Sequence, residues 1–341
     1  MKTDLLAATI PEAKLAAVQK ALKQVFNIDI VDEIQLLAGG LSTALVYRIA
    51  VKGTNYLLRI VMQPDEVHNP KRQHICMRHA ASCSIAPFVH YTHDKDALAI
   101  TAFVQAKPIR GGFGSKQELL TALSSTIKAI HNLPVFPKLV NFMDGVDLFI
   151  QQFKALRMFP EQVMEEYFTY YAEIQKAYPR YDTDMVSSHN DLNPNNILFD
   201  GEKIWVVDWE AAFQNDRYVD LAIVAQTFVN DKQDEELFLQ VYFSTALDDL
   251  KRARFFLMQQ ICRMYYAMLM LRLAATQKPA DHIHDASMNL QEMADFGAKL
   301  ASGQLSMDTY EGKLLYGKIL LNSMLSNMKS ERFTQAITAM N

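Results

Sequence analysis

Positive charge is in short supply for a nucleic-acid binder: 34 lysines and arginines stand against 38 aspartates and glutamates, a formal net charge of -4. With a sequence pI near 6.1, this balance excludes a surface built mainly to neutralise a phosphate backbone, so no nucleic-acid partner is expected. Cysteine is rarer still. The three present, Cys76, Cys83 and Cys262, are too few and of the wrong parity for a disulfide framework, and fit free thiols in a reducing compartment. Long apolar runs are missing too. The stretch FFLMQQICRMYYAMLMLRLAA from Phe255 is cut by Gln259, Gln260, Arg263 and Arg272, short of the roughly 18 uninterrupted apolar residues of a membrane span. It reads as a buried helix, and no membrane span is expected. The opening MKTDLLAATIPEA carries Asp4 and only a short apolar run before Pro11 and Glu12, which is not the h-region of an export signal. A cytoplasmic protein is expected.

What the chain does have is apolar bulk. Half of its 341 residues are hydrophobic, enough for two lobes with sizeable cores. Helical spacing from Glu12 to Val25 precedes β-prone runs, IQLLAGGLSTALVYRIAV and NYLLRIV, around turns at Gly39-Gly40 and Gly53. A helix from Pro70 to Ser82 and strands near Phe88 to Tyr91 and Leu98 to Val104 complete an N-terminal unit. Beyond it, RGGFGSKQELL lacks Walker spacing and reads as a connector ending in a capping box, Ser115 with Glu118. Helical patterns follow at Leu119 to Ile130, Pro160 to Tyr178, Leu237 to Phe243 and Arg252 to Ala275. The fold class is therefore α+β, with a small β-rich lobe over residues 1–105 and a larger helical lobe over 106–341.

One polar stretch interrupts the helical part. HNDLNPNN from His189 is too polar for a core, and it is followed by ILFDGEKIWVVDWE. Asp200-Gly201 is a hairpin turn signal between Ile197 to Phe199 and Ile204 to Val207. If the loop takes Asp200 to Lys203, Phe199 pairs with Ile204 and Asn196 falls opposite Val207, one rung from Asp208. An amide and a carboxylate twelve positions apart would then converge on one hard cation, for which oxygen ligands are preferred.

The pattern His189, Asp191, Asn196, Asp208 resembles the catalytic and metal-binding loops of the protein-kinase-like fold. More narrowly, HNDLNPNNILF with VVDWEAAFQNDRYVDLA is similar to the choline/ethanolamine kinase branch of the aminoglycoside phosphotransferase-like superfamily. AGGLSTALVYRI resembles that branch's glycine-rich loop, and YLLRI the strand after it, with Arg59 in place of the usual lysine. The resemblance covers pieces from about Leu37 to Val224.

It implies a bilobal protein-kinase-like fold and an ATP- and magnesium-dependent kinase acting on a hydroxyl of a small-molecule amino alcohol. Asp191 would be the catalytic base; Gly39, Gly40, Ser42, Thr43 and Arg59 would bind nucleotide phosphates. Asn196 and Asp208 would hold Mg2+. Glu210 would hold a second Mg2+ or face the acceptor's cationic head. His189 and Asp220 are expected to brace the catalytic loop. Tyr265 and Tyr266 offer aromatic faces to a quaternary ammonium, or pack in the core; Trp205 and Trp209 are the only tryptophans, so the late tryptophans of choline kinase pockets are absent. Kinases of this fold pair the strand cation with a helix glutamate. Here Gln73 or His74 stands near that place, and Gln73 can accept a hydrogen bond from Arg59. Cys76, His79 and Cys83 share a helical face without zinc-finger spacing and read as packing. Two other readings follow from the same residues: an aminoglycoside-type phosphotransferase, and a nucleotide-binding scaffold without turnover.

Overall fold

The computed structural model describes residues 5–37, 44–180, 184–288 and 293–341. In chain order its elements are α1 (Leu5–Thr9), α2 (Glu12–Phe26), β1 (Glu33–Leu36), β2 (Ala44–Val51), β3 (Thr54–Val61), α3 (Pro70–Ser82), β4 (Val89–His93), β5 (Leu98–Ala102), α4 (Lys116–His131), α5 (Phe142–Leu156) and α6 (Glu161–Ala177). There follow β6 (Met185–Ser188), β7 (Ile197–Phe199), β8 (Ile204–Val206), β9 (Phe213–Asp216), α7 (Arg217–Phe228), α8 (Lys232–Phe243), α9 (Asp249–Ala275), α10 (Met293–Ala301), α11 (Tyr310–Met328) and α12 (Glu331–Met340).

Two compact units emerge. The first comprises Met1–Leu139, Val186–Asp220 and Thr227–Tyr242; the second comprises Val140–Met185, Leu221–Gln226 and Phe243–Asn341.

The first unit is built on a five-stranded sheet in the order β1-β2-β3-β5-β4, with antiparallel neighbours. Lys52 and Gly53 both take positive φ, 51° and 76°, and Val51 pairs with Thr54. That is the two-residue turn whose twist matches a hairpin, and glycine meets its second position without a Cβ penalty. Alternation then decides the faces. Tyr47, Ile49 and Val51 of β2, Leu58 and Ile60 of β3, and Leu98 and Ile100 of β5 share a core with Leu6, Val18 and Leu22 of the leading helices. Arg59, between Leu58 and Ile60, must point to the opposite face. There α3 runs, opened by Asn69, whose side chain accepts from Arg72 N at 3.2 Å, and by Pro70 in its first turn.

The connector into α4 behaves as its sequence suggests. Ser115 caps the helix by accepting from Glu118 N at 3.1 Å, while the Glu118 carboxylate reaches Gly114 N at 3.1 Å, one residue before the cap itself.

In the second unit α9 packs along α11 at close range. A Cβ placed on Gly317 would lie 2.8 Å from Leu271 Cγ and 3.2 Å from Ala267 O, so the absent side chain sets how near the two helices come. Helices α5, α10, α11 and α12 are additions to what the apolar spacing suggested.

Candidate active site

The polar stretch becomes ordered by local chemistry before any long contact is made. Asp200 Oδ1 accepts from Glu202 N at 2.8 Å and Lys203 N at 2.9 Å, and Asp200 N donates to Lys203 O at 3.3 Å. Gly201 supplies the positive φ. With Asp200 to Lys203 in the loop, Ile197 pairs with Val206, Leu198 with Trp205 and Phe199 with Ile204. Val207 N then donates to Asn196 O at 3.0 Å, the rung that the hairpin arithmetic requires. At the entry, Asn193 accepts from Asn195 N at 2.9 Å and opens the short turn Pro194–Asn196.

Asp191 and Asn196 meet directly. The Asn196 amide donates to Asp191 O at 2.8 Å and to Asp191 Oδ2 at 3.0 Å, and Asn193 Nδ2 also donates to Asp191 Oδ2 at 3.0 Å. Because Nδ2 of Asn196 faces Asp191, its Oδ1 is left as the acceptor that could meet a cation. His189 is fully buried; its Nε2–H donates to Val207 O at 3.0 Å and its Nδ1 accepts from Asp191 N at 3.3 Å. Both ring nitrogens are engaged with main chain on each side of the hairpin, which is a bracing role.

Asp220 holds the whole loop from below. Its side chain is inaccessible to solvent, and it accepts from Ser188 Oγ at 2.9 Å, His189 N at 2.8 Å, Asn190 N at 2.7 Å and His131 Nε2 at 3.1 Å. Burial pushes this carboxyl up, but the hydrogen bonds and electrostatic attraction of His131 and His189 outweigh it and keep Asp220 below the usual carboxylate range. Tyr242 Oη lies 2.6 Å from His131 Nδ1, so the imidazole is itself held in place. The left-handed Asn190, φ 65°, accepts from Asn215 Nδ2 at 2.6 Å and donates to Ala211 O at 2.9 Å. Neither His131 nor the Asn190–Asn215 pair had a role assigned from the sequence. His131 ends a helix 89 residues before Asp220, and no local spacing announces the partnership.

Asp208 takes φ 61° and ψ 66°, a left-handed conformation that costs a non-glycine residue on the order of 1 kcal/mol. The rung at Val207 fixes it on one side and the turn Trp209–Ala211 on the other. Trp209, buried, sets its ring 4.7 Å from His189 and 6.1 Å from Phe136 and donates from Nε1 to Val206 O at 3.1 Å.

Arg59 closes the cluster. Its side chain is 9% exposed; Nη1 donates to Gln73 Oε1 at 2.9 Å, and Nη2 to Asp208 Oδ1 at 3.2 Å and to Glu210 Oε2. The expected Gln73 contact is present, and the countercharge comes from two loop carboxylates. Asp208 is held above the usual carboxylate range, chiefly by withdrawal from water and further by Glu210, against the pull of Arg59. The Arg72 guanidinium also attracts Glu210, so two cations face the carboxylate pair of Asp208 and Glu210. Together with the Asn196 amide oxygen, this pair is an all-oxygen donor set of the kind that suits magnesium.

Gly39, Gly40, Ser42 and Thr43 lie outside the described residues. Tyr265 and Tyr266 belong to the second unit, half-buried; Tyr265 stands 5.2 Å from Phe142, 5.0 Å from Phe149 and 5.3 Å from Tyr266, ring centre to ring centre. On α3, burial pushes the Cys76 thiol up to about 12, and it donates to Ala212 O at 3.7 Å. A protonated, packed thiol is no thiolate ligand. Among the described residues no helix is long and apolar enough to cross a membrane.

Residues 33–256 match the phosphotransferase enzyme family. Over 124 residues the chain is 29% identical to a LicA homolog of Mycoplasma capricolum subsp. capricolum, 36% of this chain and 50% of that one. It spans only 13% of another curated relative. Among solved structures, a choline/ethanolamine kinase family protein from Mesorhizobium loti superposes with a TM-score of 0.69 at 17% identity, over 96% of this chain and 99% of that one. A spectinomycin phosphotransferase in complex with ADP and spectinomycin superposes with a TM-score of 0.54 at 14% identity, over 89% and 98%. These likenesses assign the bilobal protein-kinase-like fold, with an antiparallel N-terminal sheet and a mostly helical remainder. With about two thirds of its length matched, the chain belongs to the phosphotransferase enzyme family.

Proposed function

We propose that this phosphotransferase is an ATP- and Mg2+-dependent kinase that phosphorylates a hydroxyl of choline, ethanolamine or a similar amino alcohol. The observation that carries the reading is the joining of Asp191 to Asn196 through the amide, one rung from Asp208, whose carboxylate Arg59 draws together with that of Glu210.

In this reading Asp191 orients the acceptor hydroxyl and takes its proton. Its carboxylate is held by Asn193 and Asn196, so little reorganisation is needed when the acceptor arrives. Arg59 presents a planar fork to the phosphates that are not transferred, and Gly39, Gly40, Ser42 and Thr43 are proposed to bind the same phosphates. Asn196, Asp208 and Glu210 would hold magnesium, which when bound supplies compensation for negative charge on the phosphoryl group. Tyr265 and Tyr266 are proposed to face the acceptor's cationic head, since a quaternary ammonium donates no N–H and is held by ring faces. The free thiols of Cys76, Cys83 and Cys262 support a cytoplasmic setting.

The likeness to a spectinomycin phosphotransferase supports a second reading, an aminoglycoside acceptor. A panel of choline, ethanolamine and spectinomycin incubated with Mg-ATP, read by mass spectrometry for a phosphate adduct, separates the two. The proposal expects an adduct on choline or ethanolamine. An adduct on spectinomycin alone would replace it with the second reading. ATP binding with all three alcohols inert would point to a scaffold.

A further inference from the structure

A buried guanidinium without a carboxylate of its own must be satisfied by main-chain oxygens, and where those oxygens lie says what it holds together. Arg72, in the first turn of α3, is 6% exposed. Its Nη1 donates to Glu66 O at 3.3 Å, and its Nη2 to Val67 O and, at 2.7 Å, to Glu210 O. The first two oxygens belong to the loop that leads into α3; the third belongs to the loop after β8, 138 residues away. Nε is buried with no partner, so the geometry is chosen for the terminal nitrogens at a cost to the third. One helical turn on, on the same face, Cys76 donates to Ala212 O at 3.7 Å. Positions 72 and 76 of α3 thus grip carbonyls 210 and 212 of the loop that carries Asp208 and Glu210. Between them Gln73 meets Arg59, which meets both carboxylates.

We infer that Arg72 is a positioning residue, fastening the main chain of the Asp208–Glu210 loop to α3 and so setting both carboxylates for a divalent ion. The inference rests on the proposed metal role of that loop. Arg72 touches no reacting group in this account; it acts through Glu210. Methionine at this place fills the same volume and donates nothing. Lysine keeps a cation but cannot bridge both loops with one planar fork.

The test uses the full chain with Arg72→Met and Arg72→Lys, hydrogen–deuterium exchange, and Mn2+ binding in the presence of a non-hydrolysable ATP analogue. For Arg72→Met, exchange over 208–212 and over 66–69 is expected to rise together while 75–81 stays as protected as in the parent. Mn2+ affinity should fall by about 10-fold or more, with metal-free nucleotide binding unchanged. Arg72→Lys should fall between parent and Arg72→Met in both measurements, and carries the test alone if Arg72→Met does not fold. Loosening confined to 66–69, or unchanged exchange over 208–212 in either folded variant, overturns the inference. So does parental Mn2+ affinity in Arg72→Met. If no amino alcohol is phosphorylated by the parent, the proposed function falls, while the exchange data still decide whether Arg72 fastens the loop.

Discussion

The segment from Ser188 to Ala212 and the helix α9 both bury side chains, by opposite means. In the first, the buried polar groups Ser188, His189 and Asn196 sit among apolar neighbours such as Leu192, Phe199 and Val206, and each has a directional partner: Ser188 and His189 on Asp220, Asn196 on Asp191, His189 on Val207. In the second, Phe255, Leu257, Ile261, Met264, Met268 and Leu271 are buried and need only volume from their neighbours. Directional bonds tie a residue type to a position, because removing one partner strands the other. Apolar packing ties a position to a size, and tolerates exchange within it. The two regions should therefore fail differently when altered.

The sharpest difference is expected at Asp191. Asp191→Asn should lower kcat on the order of 10²- to 10⁴-fold while leaving melting temperature and ATP binding near the parent, measured by steady-state kinetics and calorimetry. A matching loss of fold would erase the distinction between a chemical and a structural residue. Next comes Asp220, where stability and pH are linked. Asp220→Ala strands its four donors and is expected to cost about 3–5 kcal/mol by denaturant titration. Since the folded carboxyl titrates below its unfolded value, its contribution is complete above about pH 4 and is lost as pH falls through the folded value. The gap between parent and variant should accordingly narrow in acid; a gap that widens there contradicts the assignment.

In the packed region the effects should be on stability alone. Leu271→Ala, opening space against Gly317, should cost about 2–5 kcal/mol with KM unchanged. Gly317→Ala, which forces a Cβ against Leu271 and Ala267 O, should cost about 1–3 kcal/mol. Smallest of all, Met268→Leu should cost less than about 1.5 kcal/mol. An activity loss from any of these at intact fold would blur the line between the two regions.

Legibility in the sequence followed the same division. The Asp200-Gly201 turn, the four-residue loop and the rung between Asn196 and Val207 could all be read, because the chemistry that sets them is local and the period of a strand leaves one register. Gln73, with His74 as the alternative, was expected near Arg59 only through the resemblance to kinases that set a helix glutamate there. What escaped were partners distant in sequence: Glu210 and Asp208 as the countercharges of Arg59, Arg72 on the Glu210 carbonyl, and His131 beneath Asp220. No spacing rule links positions 138 or 149 residues apart. Helix α5 was passed over with Gly145 inside its pattern, although Asn141, which caps it through Met143 N at 2.9 Å, was a usable start signal. Helix α11 carries Gly312 and Gly317 in an apolar run, so its propensity reads low, and its stability comes from packing on α9.

The most direct measurement is a titration of Mn2+ into the parent and Asp208→Asn, each with a non-hydrolysable ATP analogue, read by electron paramagnetic resonance. Nucleotide-dependent metal binding is expected in the parent, and at least about 10-fold weaker binding in the variant. Equal affinity in the two proteins, or no metal taken up by the parent with nucleotide present, would contradict this expectation.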